Sequence, residues 1–453
     1  MQDDIKNLLK QAGSENLTDQ AVEVARWLLD RALKLQSREE KRQQNELNRM
    51  IQSPSDKATL ITLTDQAFRS HVPHRAVDQL IHILDVQGIP RFFTPLDRTL
   101  LKGFQSFGSY LPDVAVPLMK QNMRKETANV VLPAEWNHLG SYLRKRRDDG
   151  LRMNVNFLGE ALLGEEEASK RMILYKEALA NPNIEVISVK ISTIFSQINT
   201  LAYDHSIQIL SDRLEELYRA ANQNTFKRHD GTEVTKFVYL DMEEYRDLRI
   251  TADLFMQTLS RPGLEEVKAG IALQAYIPDS YLAQQRITEW AQKRVESGAS
   301  PVTVRLVKGA NMEMERVEAS QRGWPQAPYN VKRDTDRNYK RMLHYALEEN
   351  RTSAVRIGVA SHNLFDVAYA MALASREECL DRVQFEMLEG MANHQRRALQ
   401  ELGDDILLYA PACKKQDFIY AIGYLIRRLD ENTGPDNFLR HTFQLQPDSP
   451  EWE

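Results

Sequence analysis

The chain has 453 residues and a formal net charge of −5, with both signs mixed throughout. That length allows a large core, and the absence of a basic tail or stripe argues against nucleic-acid binding. Its two cysteines, Cys379 and Cys413, exclude a disulfide framework and fit a reducing compartment, and no apolar run approaches membrane-spanning length. The opening MQDDIKNLLKQ is acidic and then amphipathic, which does not read as a signal peptide, so the expectation is a soluble, cytoplasmic protein.

Residues 1–150 read as helices. The stretch from Leu17 to Leu35 keeps apolar residues at spacings of three and four, behind a cap candidate at Thr18. Thr64 to Leu84 and Arg98 to Lys120 repeat that rhythm, whereas SREEKRQQNELNRM, from Ser37, is a charged and solvated face. No β-branched run and no chemistry-bearing cluster stands out, which predicts a helical arm or accessory region.

From residue 151 the rhythm changes. Short apolar runs, RMNVNFLGE, IEVISVKIS, KFVYLDME, GIALQAY, VTVRLVKGA, VRIGVASHN, VQFEMLEG and ILLYAP, alternate with helical stretches such as HSIQILSDRLEELYRAA. Eight such units over residues 151–440 predict an α/β fold, a (β/α)8 barrel of the TIM type. A doubly wound sheet is the rival, but no Gly-rich dinucleotide turn follows the first strand. Residues 441–453 are polar and linker-like.

Side chains alternate across a strand. Each run has an apolar side for the helix layer and a late polar group opposite it. Those groups are Asn156 and Glu160, Lys190, Asp241, Gln274, Arg305, His362, Glu386 and Tyr409. In a barrel they face the lumen at the C-terminal mouth, where active sites of this fold lie. So many buried polar groups are costly unless they pair with one another or with a ligand. No metal-ligand spacing and no nucleophilic Ser or Cys motif accompanies them. Lys190 leaves a Schiff-base aldolase or lyase open, while the cations around Asp241 suit anionic ligands. Near the chain's end, YLIRRLDEN puts Tyr424, Arg427 and Arg428 on one helix face. Two guanidinium groups there suit a carboxylate or phosphate. The alternative is a solvated face on which Glu431 pairs with both arginines.

Taken in order, SVKIS, YLDMEEY, LQAY, RLVKGA, ASHN, FEMLEGM, LLYAP and YLIRRLDEN resemble the proline dehydrogenase domain of the proline utilization A flavoproteins. The likeness covers about residues 151–440. It implies noncovalent FAD and oxidation of L-proline to Δ1-pyrroline-5-carboxylate, with hydride passing to flavin N5. It also implies a quinone acceptor, with peripheral contact to the membrane that holds it, and linkage to or cooperation with a pyrroline-5-carboxylate dehydrogenase. Asp241 and Arg305 match residues of the catalytic centre, with Arg305 close to N5. Lys190, Leu388, Tyr409 and Tyr424 match residues around the substrate, and Arg427 and Arg428 match a clamp on its carboxylate in a helix over the barrel mouth. Met242, Gln274, Lys308, Gly309, Ala310, Ser361, His362 and Glu386 match cofactor-holding positions. Glu160, Glu243 and Glu431 match supporting acids.

Two departures stand out. Many family members carry two aromatics after KGA, where this chain has Asn311 and Met312, which leaves the segment through Trp324 and Pro325 to close the pocket. The chain also shows no aldehyde dehydrogenase domain and no ribbon-type DNA-binding arm. The expectation is therefore a one-activity protein or the front part of a longer one.

Overall fold

The alternating runs become parallel strands: β1 (Arg152–Phe157), β2 (Val186–Lys190), β3 (Phe237–Asp241), β4 (Ala269–Gln274), β5 (Val302–Val307), β6 (Val355–Ala360), β7 (Val383–Leu388) and β8 (Ile406–Cys413). Each pairs with the next in the chain, and β8 pairs with β1, so the sheet closes into the expected barrel. Parallel neighbours require crossovers. These are α1 (Glu165–Ala180), α2 (Tyr203–Asn222), α3 (Leu248–Leu259), α4 (Ser280–Glu296), α5 (Lys332–Leu347), α6 (Leu364–Arg376) and α7 (Asn393–Leu402). An additional helix, Met312–Arg322, precedes α5, and α8 (Phe418–Thr433) follows β8. The computed structural model describes residues 2–11, 13–67, 70, 72–91, 95–107, 112–159, 164–309, 311–403, 405–433, 437–441, 445–447, 449 and 452.

Contacts divide the chain into two compact units. The first comprises Met1–Arg31 and Trp136–Pro411 and contains the barrel. Its outward-facing strand residues, among them Val189, Leu240, Leu273, Val304 and Val359, are fully buried under the helices. The helix Gln2–Gln11 and the start of Leu17–Leu35 also belong here, burying Ile5, Val24 and Leu28. Arg376 on α6 donates to the Glu15 carbonyl at 2.6 Å, and Arg31 pairs with Glu401 on α7.

The second unit comprises Ala32–Glu135 and Ala412–Glu453. It contains the helices Arg38–Ile51, Pro54–Ala67, Pro73–Gln87, Pro95–Phe107 and Pro112–Glu126, together with α8. A two-residue strand, Leu132–Pro133, pairs with Ala412 and Cys413. The sequence reading had no strand in this region, because the pairing depends on a partner some 280 residues away rather than on a local pattern. Each unit holds one buried thiol, Cys379 in the first and Cys413 in the second. Burial, with Glu377 and Asp381 nearby, pushes the Cys379 thiol up to about 11.

Candidate active site

The lumen is filled from the bottom. Arg152 at the start of β1 donates to Glu185 at 2.9 Å and to Gln384 at 2.5 Å across the N-terminal end. Above them the inward side chains of Val186, Tyr239 and Leu407, with Phe237 against them, form an apolar and aromatic plug. The polar ring lies on that plug. Its level is set by strand register, which pairs Lys190 with Asp241, Ala272 with Arg305, Arg305 with Gly358, and Leu388 with Tyr409.

Arg305 is the centre of the ring, and only 4% of its side chain is exposed. Its Nη1 donates to Asp241 at 2.9 Å and its Nε to Glu386 at 2.6 Å. Burial alone would push the guanidinium pKa down; the Glu386 charge, then Tyr239 and Asp241, outweigh it and keep the group above the ordinary arginine value. Asp241 also accepts from Ser188 at 3.1 Å and from the Tyr409 hydroxyl at 2.9 Å. Glu386 accepts from the Tyr239 hydroxyl at 2.9 Å and from Gln384 at 3.0 Å. Glu386 therefore makes its hydrogen bonds to protein donors. Among the described residues, the buried Nη2 of Arg305 has no hydrogen-bond partner.

A second group borders the mouth. Lys190 pairs with Glu243 at 3.0 Å, and Ser192 donates to the same carboxylate. The side chains of Gln274 and Asn311 reach the Glu243 carbonyl at 3.2 and 3.3 Å, and Gln274 also reaches the Met242 carbonyl at 3.3 Å. Asn311 thus ties the turn after β5 to the loop after β3. Glu315, on the helix Met312–Arg322, fixes the same loop by accepting from the Tyr245 amide at 2.7 Å. The acids of this loop crowd one another: burial first, then Glu243, Glu244 and Glu315, push Asp247 up to about 7 against the pull of Arg246.

Lys308 lies between Asp336 at 2.5 Å and Asp366 at 2.7 Å, and Ser361 donates to Asp366 at 3.1 Å. Gly309 has φ +130°, and a Cβ there would lie 1.9 Å from the Tyr276 ring, so both space and backbone conformation require glycine. His362 accepts the Leu388 amide through Nε2 at 2.9 Å.

The sequence-predicted residues fall into three sets. Lys190, Asp241, Met242, Glu243, Gln274, Arg305, Lys308, Gly309, Ser361, His362, Glu386 and Leu388 all lie at or beyond the C-terminal halves of their strands in the first unit, and Tyr409, midway along β8, pairs in register with Leu388. Tyr424, Arg427 and Arg428 lie on α8 in the second unit, where the Arg428 Nε donates to the Tyr424 hydroxyl at 3.0 Å, so they share a face as predicted. Glu160, Ala310 and the Glu431 side chain lie outside the described residues. The sequence reading did not select Tyr239, Ser188, Asp336 or Asp366. Tyr239 shares the parity of Asp241, two residues on, but within an apolar run that parity does not separate it from core.

A family model described as proline dehydrogenase matches residues 140–441. The chain belongs to that family. As expected of a proline dehydrogenase domain in such company, it resembles PutA proteins in both sequence and structure. The bifunctional protein PutA of Salmonella typhimurium is 26% identical over 314 residues, 65% of this chain and 22% of that protein. The PutA structure from Corynebacterium freiburgense superposes with TM-score 0.64 at 37% identity, covering 75% of this chain and 34% of that one. That from Bdellovibrio bacteriovorus gives TM-score 0.77 at 26% identity, covering 96% and 43%. The chain thus spans less than half the length of these relatives.

Proposed function

We propose that this proline dehydrogenase domain oxidises L-proline to Δ1-pyrroline-5-carboxylate using noncovalent FAD, with electrons going on to a quinone. The observation that supports this best is the Nη2 of Arg305: a buried, cationic donor at the barrel mouth whose other edges are fixed by two carboxylates. A buried donor without an acceptor is unfavourable unless a ligand supplies one. When bound, the flavin supplies hydride acceptance, and a preorganised cationic donor stabilises the negative charge it gains.

Asp241 orients Arg305 and the Tyr409 hydroxyl, and Glu243 holds Lys190. On this reading Lys190, Asp241 and Tyr409, from β2, β3 and β8, face the substrate with Leu388; Tyr424 is assigned to the substrate by the family resemblance alone. Gln274, Lys308, Gly309, Ala310, Ser361, His362 and Glu386, with the Met242 carbonyl, form the cofactor side along β4 to β7 and the adjoining end of β3. The two cations Arg305 and Lys190 are outnumbered by the carboxylates Asp241, Glu243 and Glu386. The family resemblance alone assigns the substrate carboxylate to Arg427 and Arg428, with Glu160 and Glu431 in support. Peripheral contact with a quinone-bearing membrane and cooperation with a pyrroline-5-carboxylate dehydrogenase belong to the same reading. The aldolase alternative gains nothing from the geometry, since Lys190 is held in an ion pair.

The test is direct. The purified protein is expected to be yellow, to release FAD on heating, and to bleach with proline without added NAD. Arg427→Met or Arg428→Met is expected to raise KM for proline by at least tenfold while FAD stays bound, since truncating one partner of a buried charge pair costs about 2–5 kcal/mol. A colourless protein that takes up no FAD overturns the reading. An unchanged KM in both variants returns the arginine pair to an ordinary helix face.

A further inference from the structure

The Tyr239 ring lies directly beneath the Arg305 guanidinium, with Cζ 3.7 Å from the ring centroid. That is contact distance for a cation on an aromatic face. The two hydrogen bonds of Arg305, to Asp241 and Glu386, fix the guanidinium within its own plane but restrain its tilt weakly. A ring pressed against one face blocks tilt on that side. Tyr239 is itself immobilised: it is 1% exposed, its hydroxyl donates to Glu386 at 2.9 Å, and its ring meets Phe237 with centroids 4.8 Å apart. On the adjoining strand, Gly270 leaves room for it; a Cβ there would lie 2.3 Å from the Tyr239 ring.

We propose that Tyr239 is a positioning residue for Arg305. Its ring is the floor of the guanidinium, and its hydroxyl fixes Glu386, which in turn fixes the Nε edge. The single uncommitted edge, Nη2, is then presented at a set place in the mouth. This rests on the FAD reading above, because the reader of that edge is the cofactor. A donor held in place by a floor stabilises the more negative, reduced flavin more than the oxidised one. Removing the floor lets Nη2 tilt and weakens that preference.

The experiment uses the intact FAD-loaded protein. Bound FAD in the wild type is measured first; its absence defeats the FAD reading and is distinct from any result on Tyr239. With FAD bound in both proteins, Tyr239→Leu is expected to lose at least tenfold of the preference for reduced over oxidised flavin. For a two-electron couple that is a midpoint about 30 mV more negative. KM for proline is expected to change less than threefold, because the substrate carboxylate is held elsewhere. Tyr239→Phe keeps the ring and is expected to restore most of the midpoint. If the leucine variant does not fold, Tyr239→Met, of similar bulk but without a π face, is measured in the same way. A midpoint unchanged without the ring, or a phenylalanine variant as low as leucine, overturns the proposal.

Discussion

A methyl group that Gly358 lacks allows Glu386 to reach Arg305. A Cβ at Gly358 would lie 2.2 Å from the Glu386 Oε1 and 3.4 Å from the Arg305 Cα. The Arg305 backbone cannot yield there, so Gly358→Ala must displace the Glu386 carboxylate. The expected cost is about 1–3 kcal/mol, as for other overpacked cores, read by urea unfolding together with a loss of bound FAD. Wild-type stability and FAD content in that variant would show that Glu386 has a second place to go. The sequence made much of this ring legible, because a two-residue period puts Lys190, Asp241, Arg305, Glu386 and Tyr409 on one side of their strands. It concealed Tyr239 for the same reason: in a run of apolar residues, an inward tyrosine below the polar level has the pattern of core. Only the 3.7 Å approach of Arg305 distinguishes it.

Among the elements, boundaries were less legible than existence. The helix expected to open at Thr18 starts at Leu17 and is capped one residue earlier, by Asn16, whose side chain accepts the Thr18 amide at 2.8 Å. Two neighbouring cap-forming residues compete there, and the pattern alone does not rank them. The periodic stretches 64–84 and 98–120 each cover parts of two helices, because Pro73 and Pro112 open new ones. The loop between β3 and α3 carries a pH dependence that no spacing announces. Asp247 titrates near 7 in the fold and near 4 in an unfolded chain. The folded state therefore keeps a proton that the unfolded state releases, and stability declines as pH rises from about 4 to about 7, then levels off. Asp247 makes no side-chain cap bond, so Asp247→Asn removes the charge without removing a cap. It is expected to raise the unfolding temperature by about 1–3 °C at pH 8 and to leave it unchanged at pH 4. Calorimetry at the two pH values decides, and an equal shift at both would refute the assignment.

For the molecule as a whole, eight repeats of one rhythm were enough to specify the barrel. How the remaining helices are grouped is a long-range property. The rhythm changes near residue 150, whereas the contacts place Met1–Arg31 with the barrel through buried Ile5, Val24 and Leu28 and the Arg31–Glu401 pair. The single thiol in each unit gives that division a clock. Cys379 and Cys413 are 4% and 3% exposed, and a maleimide needs an open thiolate to react. Neither is expected to be modified in native buffer. In rising urea, peptide mapping of the label reports the order in which the units open. Simultaneous modification means one cooperative melt, whereas staggered modification means two separately stable bodies on one chain, each of which a protein engineer can stabilise without touching the other.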